Sequence, residues 1–282
     1  MSLHKLLESM QKTSIRMTFS AIGDCPVGSS KIGGKPDLPP GFEWFYYQGK
    51  SYGGINARRP LSFLAQINCE EIHEYDKESL LPSAGVLYFF YELATMTWGF
   101  DPNDGGSARV YYHEGSVSEL HRTDFPADLP EEYQFPEIPV GFLAKDDLPS
   151  YDEFLELTDR RDYDWKEYYD IAADLGFDLD EHSVTKLLGY ANIIQSDMLL
   201  LCEMVTNGIY CGNADYGVTE DELHRLKENS KKWQLLFQID SIFIDGRDIM
   251  MWGDVGRLYY YIKIEDLINR NFISSWLILQ CT

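Results

Sequence analysis

Two apolar stretches of the chain end in nearly the same three residues, and this internal similarity is the strongest restriction on the fold. One stretch reads LSFLAQIN and a later one reads WQLLFQID. Their glutamines, Gln66 and Gln238, are 172 positions apart, and the glycines before the next aromatic strands, Gly85 and Gly256, are 171 apart. Two matches at nearly one offset indicate a duplicated unit, so the chain is expected to fold as two similar halves.

The pattern of apolar residues predicts an α+β, strand-rich fold: a single compact unit built from two pseudo-repeated β-rich halves with peripheral helices. The halves are expected at about 28–120 and 183–282, joined by an acidic connector at 121–182. Five prolines between positions 124 and 150 are expected to keep that part of the connector free of regular structure.

Shorter signals predict individual elements. Ser150 with Glu153, and Thr219 with Glu222, have capping-box spacing, so a helix is expected to begin at each pair. The apolar run from Met198 to Val205 is interpreted as a buried strand.

The charge of the chain is strongly negative and unevenly distributed. The net charge is −22, from 24 basic and 46 acidic residues, and the stretch from Asp124 to Glu181 has 19 acidic and 4 basic residues, which is −15 of the total. Such a charge opposes binding to nucleic-acid phosphates and to anionic membranes, so neither is expected as a partner. A basic protein is the partner that this charge favours, and the competing interpretation is that the charge serves solubility alone.

Cysteine usage and hydropathy favour a cytoplasmic protein. The five cysteines include no Cys-x-x-Cys pair, which disfavours a disulfide framework and a structural zinc site. The segment before Arg16 lacks the unbroken apolar core of a signal peptide, and no run of about 18 apolar residues is present to span a bilayer.

Common catalytic and cofactor motifs are absent or incomplete. Gly28 to Gly33 has the first spacing of a phosphate loop, but Pro36 prevents the helix that would hold the phosphate. The Asp-Pro-Asn-Asp-Gly turn has Tyr112 where an EF-hand needs glutamate, and neither Gly-x-Ser-x-Gly nor His-Glu-x-x-His occurs. We therefore predict no catalytic residue, no cofactor and no metal, although His113 and His121, eight apart, leave a metal-binding pair open.

Polar residues at the ends of the two core strands are the candidate ligand-binding residues. Gln66 and Asn68 end one strand, Gln238 and Asp240 end the other, and polar groups inside apolar strands need partners. If the halves pack face to face, these side chains converge at the seam, as a buried structural network or as the wall of a ligand cleft. A Trp-Gly-Asp-Val-Gly turn adds two candidates, for which a local Asx turn is the competing interpretation. The further candidates near the seam are Lys31, Trp252 and Asp254.

Six ordered segments carry a resemblance to a known family. They read SKIGGKPDLPPGFEW, PLSFLAQIN, LPSAGVLYFF, KLLGYANIIQSD, WQLLFQIDS and MMWGDVGRLYYYI, and they extend over nearly the whole chain. Together they resemble the YwqG-like family of bacterial proteins, a domain of unknown function. The resemblance implies a strand-rich α+β fold with a pseudo-repeated core and supplies no catalytic residues. Ala191 stands after Gly-Tyr where the family pattern has proline, which implies a looser loop there.

Two functions follow as hypotheses, and the sequence does not decide whether the protein is an enzyme. The first is a non-catalytic binding or regulatory protein, for instance of the immunity type, whose acidic segment engages a basic protein. The second is a small-ligand binder or enzyme with a cleft at the seam between the halves. A large cavity lined by Gln66 and Gln238 would favour the second, and one exposed acidic face would favour the first.

Overall fold

Strands dominate the computed structural model, which describes residues 2–51, 53–179, 181–213 and 216–282. Valine, isoleucine and aromatic side chains are concentrated in the long strands, where they pack on a pleated surface. The described strands are β1 (Lys12–Phe19), β2 (Lys31–Ile32), β3 (Asp37–Leu38), β4 (Tyr46–Lys50), β5 (Asn56–Pro60), β6 (Ser62–Asn68), β7 (Val86–Tyr91), β8 (Ala108–His113), β9 (His121–Arg122), β10 (Ile138–Asp147), β11 (Lys186–Leu188), β12 (Trp233–Asp240), β13 (Ile242–Ile244), β14 (Arg247–Met250), β15 (Arg257–Lys263) and β16 (Trp276–Gln280).

Ten of these strands form one antiparallel sheet in the order β16-β15-β12-β11-β1-β10-β2-β6-β7-β8. β1 and β10 pair at its centre, and four strands follow on each side. On one side β10 pairs with β2, through Ile138 and Ile32. On the other side β1 pairs with β11, through Ile15 and Leu187, so the two sides begin with equivalent contacts. The predicted α+β fold with two pseudo-repeated β-rich halves is therefore confirmed.

The sheet curls so that its two halves enclose a common core. Phe89 of β7 lies against Phe237 of β12, with ring centroids 4.3 Å apart, and 5.3 Å from the ring of Tyr260. Burying each such side chain stabilises the fold by roughly 1.5–3 kcal/mol. The sheet is nearly closed, because Leu279 of the edge strand β16 donates its backbone N–H to the carbonyl of Trp98 in the chain that leads to β8 (3.2 Å).

Helices lie at the periphery, and among the described residues none is both long and apolar enough to cross a bilayer. The predicted caps are confirmed: Ser150 Oγ accepts from Glu153 N and Thr219 Oγ1 accepts from Glu222 N, each at 3.2 Å. The helices are α1 (Leu3–Met10), α2 (Cys69–Ile72), α3 (Tyr151–Thr158), α4 (Trp165–Asp174), α5 (Leu199–Thr206), α6 (Glu220–Ser230) and α7 (Ile264–Ile268).

The predicted strand at Met198–Val205 is wrong, because this segment forms helix α5. Asp197 accepts a hydrogen bond from the backbone N–H of Leu199 (3.0 Å), which satisfies one of the unpaired donors of the first turn. The helix packs on the outer face of the second half, where Met198 and Cys202 join a cluster with Trp233. Because most of its circumference is covered, its apolar residues do not show the one-sided period of a surface helix.

The expectation that residues 124–150 lack regular structure is also wrong. They contain β10, which is the partner of β1 over eight residue pairs and also pairs with β2. Its one proline, Pro139, is the second residue of the strand, a position near the strand start where a missing N–H is tolerated. The acidic segment between the halves thus supplies a central strand of the sheet.

Candidate functional site

A buried lysine and a buried glutamine face each other in the first half. Lys31 of β2 lies opposite Gln66 of β6, and both side chains are fully buried. Gln66 Oε1 accepts from the backbone N–H of Asp37 (2.8 Å), and Nε2 donates to the carbonyl of Ser29 (2.8 Å). The glutamine therefore holds the chain on both sides of β2 against the core strand.

The second half repeats this arrangement with different residues. Lys186 of β11 lies opposite Gln238 of β12, and both are buried. Gln238 Oε1 accepts from the backbone N–H of Asn192 (2.9 Å), and Nε2 donates to the carbonyl of Val184 (2.7 Å). We call these two sets of contacts the first and the second lysine–glutamine network.

The last residues of the core strands take part in the same way. The backbone N–H of Asn68 donates to Ser30 Oγ (2.8 Å), and that of Asp240 donates to Thr185 Oγ1 (3.1 Å). The hydroxyl residue precedes the lysine in both cases. The two networks are thus equivalent in hydrogen-bonding pattern as well as in strand position.

The two ends of β10 provide the counterions of the two lysines. Lys31 Nζ donates to Glu137, one residue before β10 (3.0 Å), and Lys186 Nζ donates to Asp147, its last residue (2.7 Å). A buried ammonium without an opposite charge would be strongly unfavourable, so both pairs are required by the burial. One strand of the acidic segment therefore neutralises both halves.

The first network is closed by further protein groups. Lys31 Nζ also donates to the carbonyl of Lys35 (2.6 Å) and lies 3.5 Å from the carboxylate of Asp37. Arg122 of β9 donates to Asp37 (2.6 Å) and to Glu137 (3.0 Å). Burial acts to raise the pKa of Asp37, but hydrogen bonds from Arg122 and from the Gly28 backbone hold it below its usual value. Asp37 is therefore an ionised, fully enclosed carboxylate.

The second network differs at the position equivalent to Asp37, which is Asn192, so a neutral amide replaces the carboxylate. Burial lowers the pKa of Lys186 to about 8. Asp147 accepts hydrogen bonds from both Lys186 and Arg16, so one carboxylate lies between the two cations here. Asp240 pairs instead with Arg257 (2.8 Å) on the neighbouring strand.

Two cavities adjoin the second network. One of about 90 Å³ is lined by Arg16, Asp147, Lys186 and Asn192. The other, of about 380 Å³, is lined by Asn192 together with His182, Asp240 and Arg257. Asn192 thus contributes to both cavities.

The structure separates the candidate residues chosen from the sequence. Lys31, Gln66 and Asn68 belong to the first network and Gln238 and Asp240 to the second, with four strands between β6 and β12 in the sheet order. Among the described residues the two sets share no hydrogen bond, and each glutamine bonds to partners in its own half.

Trp252 and Asp254 lie in neither network. Trp252 is fully buried and packs on Phe135 with ring centroids 5.8 Å apart. Asp254 is exposed on the following turn, which is closed by the backbone N–H of Gly256 donating to the carbonyl of Trp252 (2.8 Å).

Four residues in or beside the second network escaped the sequence prediction: Arg16, Asp147, Lys186 and Asn192. A second internal similarity in the sequence could have indicated Lys186 and Asn192. Ser-Lys-Ile-Gly-Gly, which begins at Ser30, matches Thr-Lys-Leu-Leu-Gly, which begins at Thr185, 155 positions later. This offset is shorter than the 172 of the glutamines because α5 and α6 lie between β11 and β12.

A larger cavity, of about 520 Å³, lies between α3, which belongs to the acidic segment, and α5. Its walls include the carboxylates of Asp152, Glu156 and Asp197 and the guanidinium of Arg161, which pairs with Glu156 (3.6 Å). Asp197 Oδ1 is buried without a hydrogen-bond partner among the described residues, and burial raises the pKa of this side chain to about 7. The apolar part of the lining consists of Phe100, Leu155, Leu200, Leu201 and Met204.

Comparison with known families places β2 to β16 in one domain. A family model described as "Domain of unknown function (DUF1963)" matches residues 30–281, from the serine before Lys31 to the residue after β16. Comparison with curated proteins gives no match. The matched range includes both lysine–glutamine networks and β10. The chain therefore belongs to the DUF1963 family, a domain of unknown function.

Proposed function

We propose that the protein is a non-catalytic binding protein that engages a basic segment of a protein partner at the cavity between α3 and α5. The observation that carries the proposal is the 520 Å³ cavity, where Asp152, Glu156 and Asp197 stand over an apolar floor. A lysine or arginine side chain has the matching chemistry, because its aliphatic stem packs on apolar groups while its charged end reaches a carboxylate.

The helices of the acidic segment, α3 and α4, carry further exposed carboxylates. Asp152, Glu167 and Asp174 on α3 and α4 are exposed and form no ion pair with a described residue. By contrast, Arg161 is already paired with Glu156 (3.6 Å), and Lys166 with Asp170. A basic partner would therefore be attracted over a distance of about 10 Å at ordinary salt.

The exposed side chain of Trp165 is a further candidate contact for the partner. Its side chain is 63 % exposed at the start of α4, beside the acidic residues. Exposed tryptophans surrounded by polar residues are typical of residues that dominate the energy of protein interfaces. The motifs quoted above further lead us to group the chain with the YwqG-like proteins within its family.

Binding of a hexalysine peptide, measured by titration calorimetry, tests the proposal. Replacing Asp152 and Asp197 by asparagine is expected to weaken binding about tenfold, because these are the two cavity carboxylates that form no ion pair with a described residue, whereas Glu156 pairs with Arg161. The matched control is Asp248→Asn, which removes an exposed charge on β14, away from the cavity. Equal affinities of the cavity variant, the control and the parent protein would overturn the proposal.

A further inference from the structure

The outer edge of β8 has backbone groups with which no described residue pairs. β8 is the last strand of the sheet, and just before it the backbone N–H of Glu92 donates to the carbonyl of Ser107 (2.8 Å). Opposite residues of an antiparallel pair alternate between bonded and non-bonded. The alternation directs the N–H and C=O of Val110 and Tyr112 away from β7, and no hydrogen bond from another described segment reaches them.

A cavity of about 450 Å³ lies along this edge. Val110 lines the cavity and is 3 % exposed, so its outward N–H and C=O are largely shielded from bulk water. A buried backbone donor or acceptor without a partner is unfavourable, and a polar partner is therefore expected inside the cavity. The walls are aromatic and are formed by Phe42, Phe45, Tyr111, Tyr112 and Phe272.

Arg109 of β8 adds a guanidinium with unused donors to the same cavity. Its side chain is partly buried, and Nη1 donates to the carbonyl of Ala108 (3.3 Å), whereas Nε and Nη2 donate to no described residue. Burial lowers the pKa of Arg109, and no carboxylate is close enough to raise it. Nε and Nη2 lie on one side of the guanidinium, so a single carboxylate can accept from both.

The other charged residues of the lining do not neutralise Arg109. Arg270 pairs with Glu114 (2.7 Å), and Glu43 is exposed and forms no ion pair with a described residue. The lining thus has two guanidinium groups and one carboxylate, which is the opposite balance to that of the 520 Å³ cavity.

We propose that this cavity binds a small aromatic carboxylate that contains an amide. Arg109 holds the carboxylate, the outer edge of β8 at Val110 pairs with the amide, and the aromatic walls pack on the ring. One free guanidinium suits a monoanion, and the net charge of −22 disfavours a phosphate dianion. The site is separate from the cavity between α3 and α5, so this inference does not depend on the proposed function.

Saturation-transfer NMR on the full chain tests the proposal with hippurate, which is benzoylglycine and has all three groups. Three related probes each lack one of them: hippuramide lacks the charge, benzoylsarcosine the amide N–H, and acetylglycine the ring. Hippurate is expected to bind, and each of the other probes is expected to bind at least about tenfold more weakly. Equal binding of hippurate and hippuramide, or no binding of hippurate, would overturn the proposal.

Arg109→Gln is expected to remove the preference for hippurate over hippuramide. The matched control is Arg247→Gln, which changes an exposed arginine on β14 outside the lining and should keep the preference. An unchanged preference in folded Arg109→Gln would contradict the assignment.

Amide hydrogen exchange in the parent protein tests the backbone contact independently of any variant. Hippurate is expected to slow exchange at the outward N–H of Val110 but not at the N–H of Arg109, which the alternation already directs to β7. Equal effects on the two amides, or none on either, would contradict pairing at this edge.

Discussion

Lys186 and Lys31 occupy equivalent positions in the two halves, 155 residues apart, and each lies opposite a buried glutamine on the neighbouring strand. Their counterions come from the two ends of one strand, Asp147 and Glu137. The pseudo-repeat is therefore preserved in its buried polar contacts, and β10 connects the two copies electrostatically.

Replacing either lysine by methionine is expected to lower the free energy of unfolding by about 1.5–3 kcal/mol, because the carboxylate of Glu137 or Asp147 loses one of its two cationic partners and keeps the arginine, Arg122 or Arg16. Lys77→Met provides the control, since Lys77 and Asp146 form a pair in which both side chains are about half exposed. Loss of such a pair changes stability by about 1 kcal/mol or less. Urea denaturation measures all three, and equal small losses would contradict the role given to the buried pairs.

Ser183→Gly is expected to stabilise the protein by about 0.5–1 kcal/mol. Ser183 is exposed and has a φ of 57°, a left-handed conformation that is unfavourable for residues with a Cβ and favourable for glycine. Its equivalent in the first half is Gly28, with a φ of 85°. The reverse change, Gly28→Ser, is expected to destabilise, since an added Cβ would lie 3.1 Å from Val117 Cβ. Thermal unfolding of both variants checks that the two changes have opposite effects on stability. A gain of stability in Gly28→Ser would contradict the prediction.

Glu153→Gln is expected to stabilise the protein more at pH 8 than at pH 5. Burial, and then the nearby Asp197, raise the pKa of Glu153 to about 8, well above the value of about 4.3 expected in the unfolded chain. Between these values the folded state binds more protons, so this group's contribution to stability falls as pH rises through the window.

The neutral glutamine removes that dependence, and the advantage of the variant is expected to reach about 1–3 kcal/mol at pH 8. Glu167→Gln on exposed α4 is the control and should show no such trend. Melting temperatures at the two pH values suffice, and a constant difference between Glu153→Gln and the parent protein would show that the pKa of Glu153 is not raised in the folded state.

Affinity for the hexalysine peptide is expected to increase between pH 6 and pH 8. Burial raises the pKa of Asp197 to about 7, and only its ionised form attracts a cation. The ionised fraction grows from about one tenth to about nine tenths over this range, so the affinity should rise by up to about tenfold. In Asp197→Asn the increase should disappear, and its persistence would assign the pH dependence to another group.

The duplicated architecture could be predicted from the sequence because Gln66 and Gln238 end strands with nearly identical apolar patterns. The capped helices α3 and α6 were also predictable, since capping is local and depends on residues three positions apart. Helix α5 was not, because a helix covered on most sides has the same continuous apolar pattern as a buried strand.

The networks themselves could be predicted only in part. That Gln66 and Gln238 need partners follows from the sequence, but the partners Asp37 and Asn192 are brought to them by tertiary packing. β10 was missed because prolines surround it, although only Pro139 falls inside the strand. Whether a segment rich in proline and acidic residues joins a sheet depends on the neighbouring strands, which local patterns do not reveal.

Double-mutant cycles on Lys31 with Glu137, and on Lys186 with Asp147, test most directly whether β10 neutralises both halves. Each cycle pairs Lys→Met with the amide replacement of the carboxylate and measures free energies of unfolding in urea. We predict coupling of at least about 1 kcal/mol in both buried pairs, and a smaller value for the exposed pair of Lys77 with Asp146. Coupling energies in the buried pairs no larger than in that exposed pair would contradict the account.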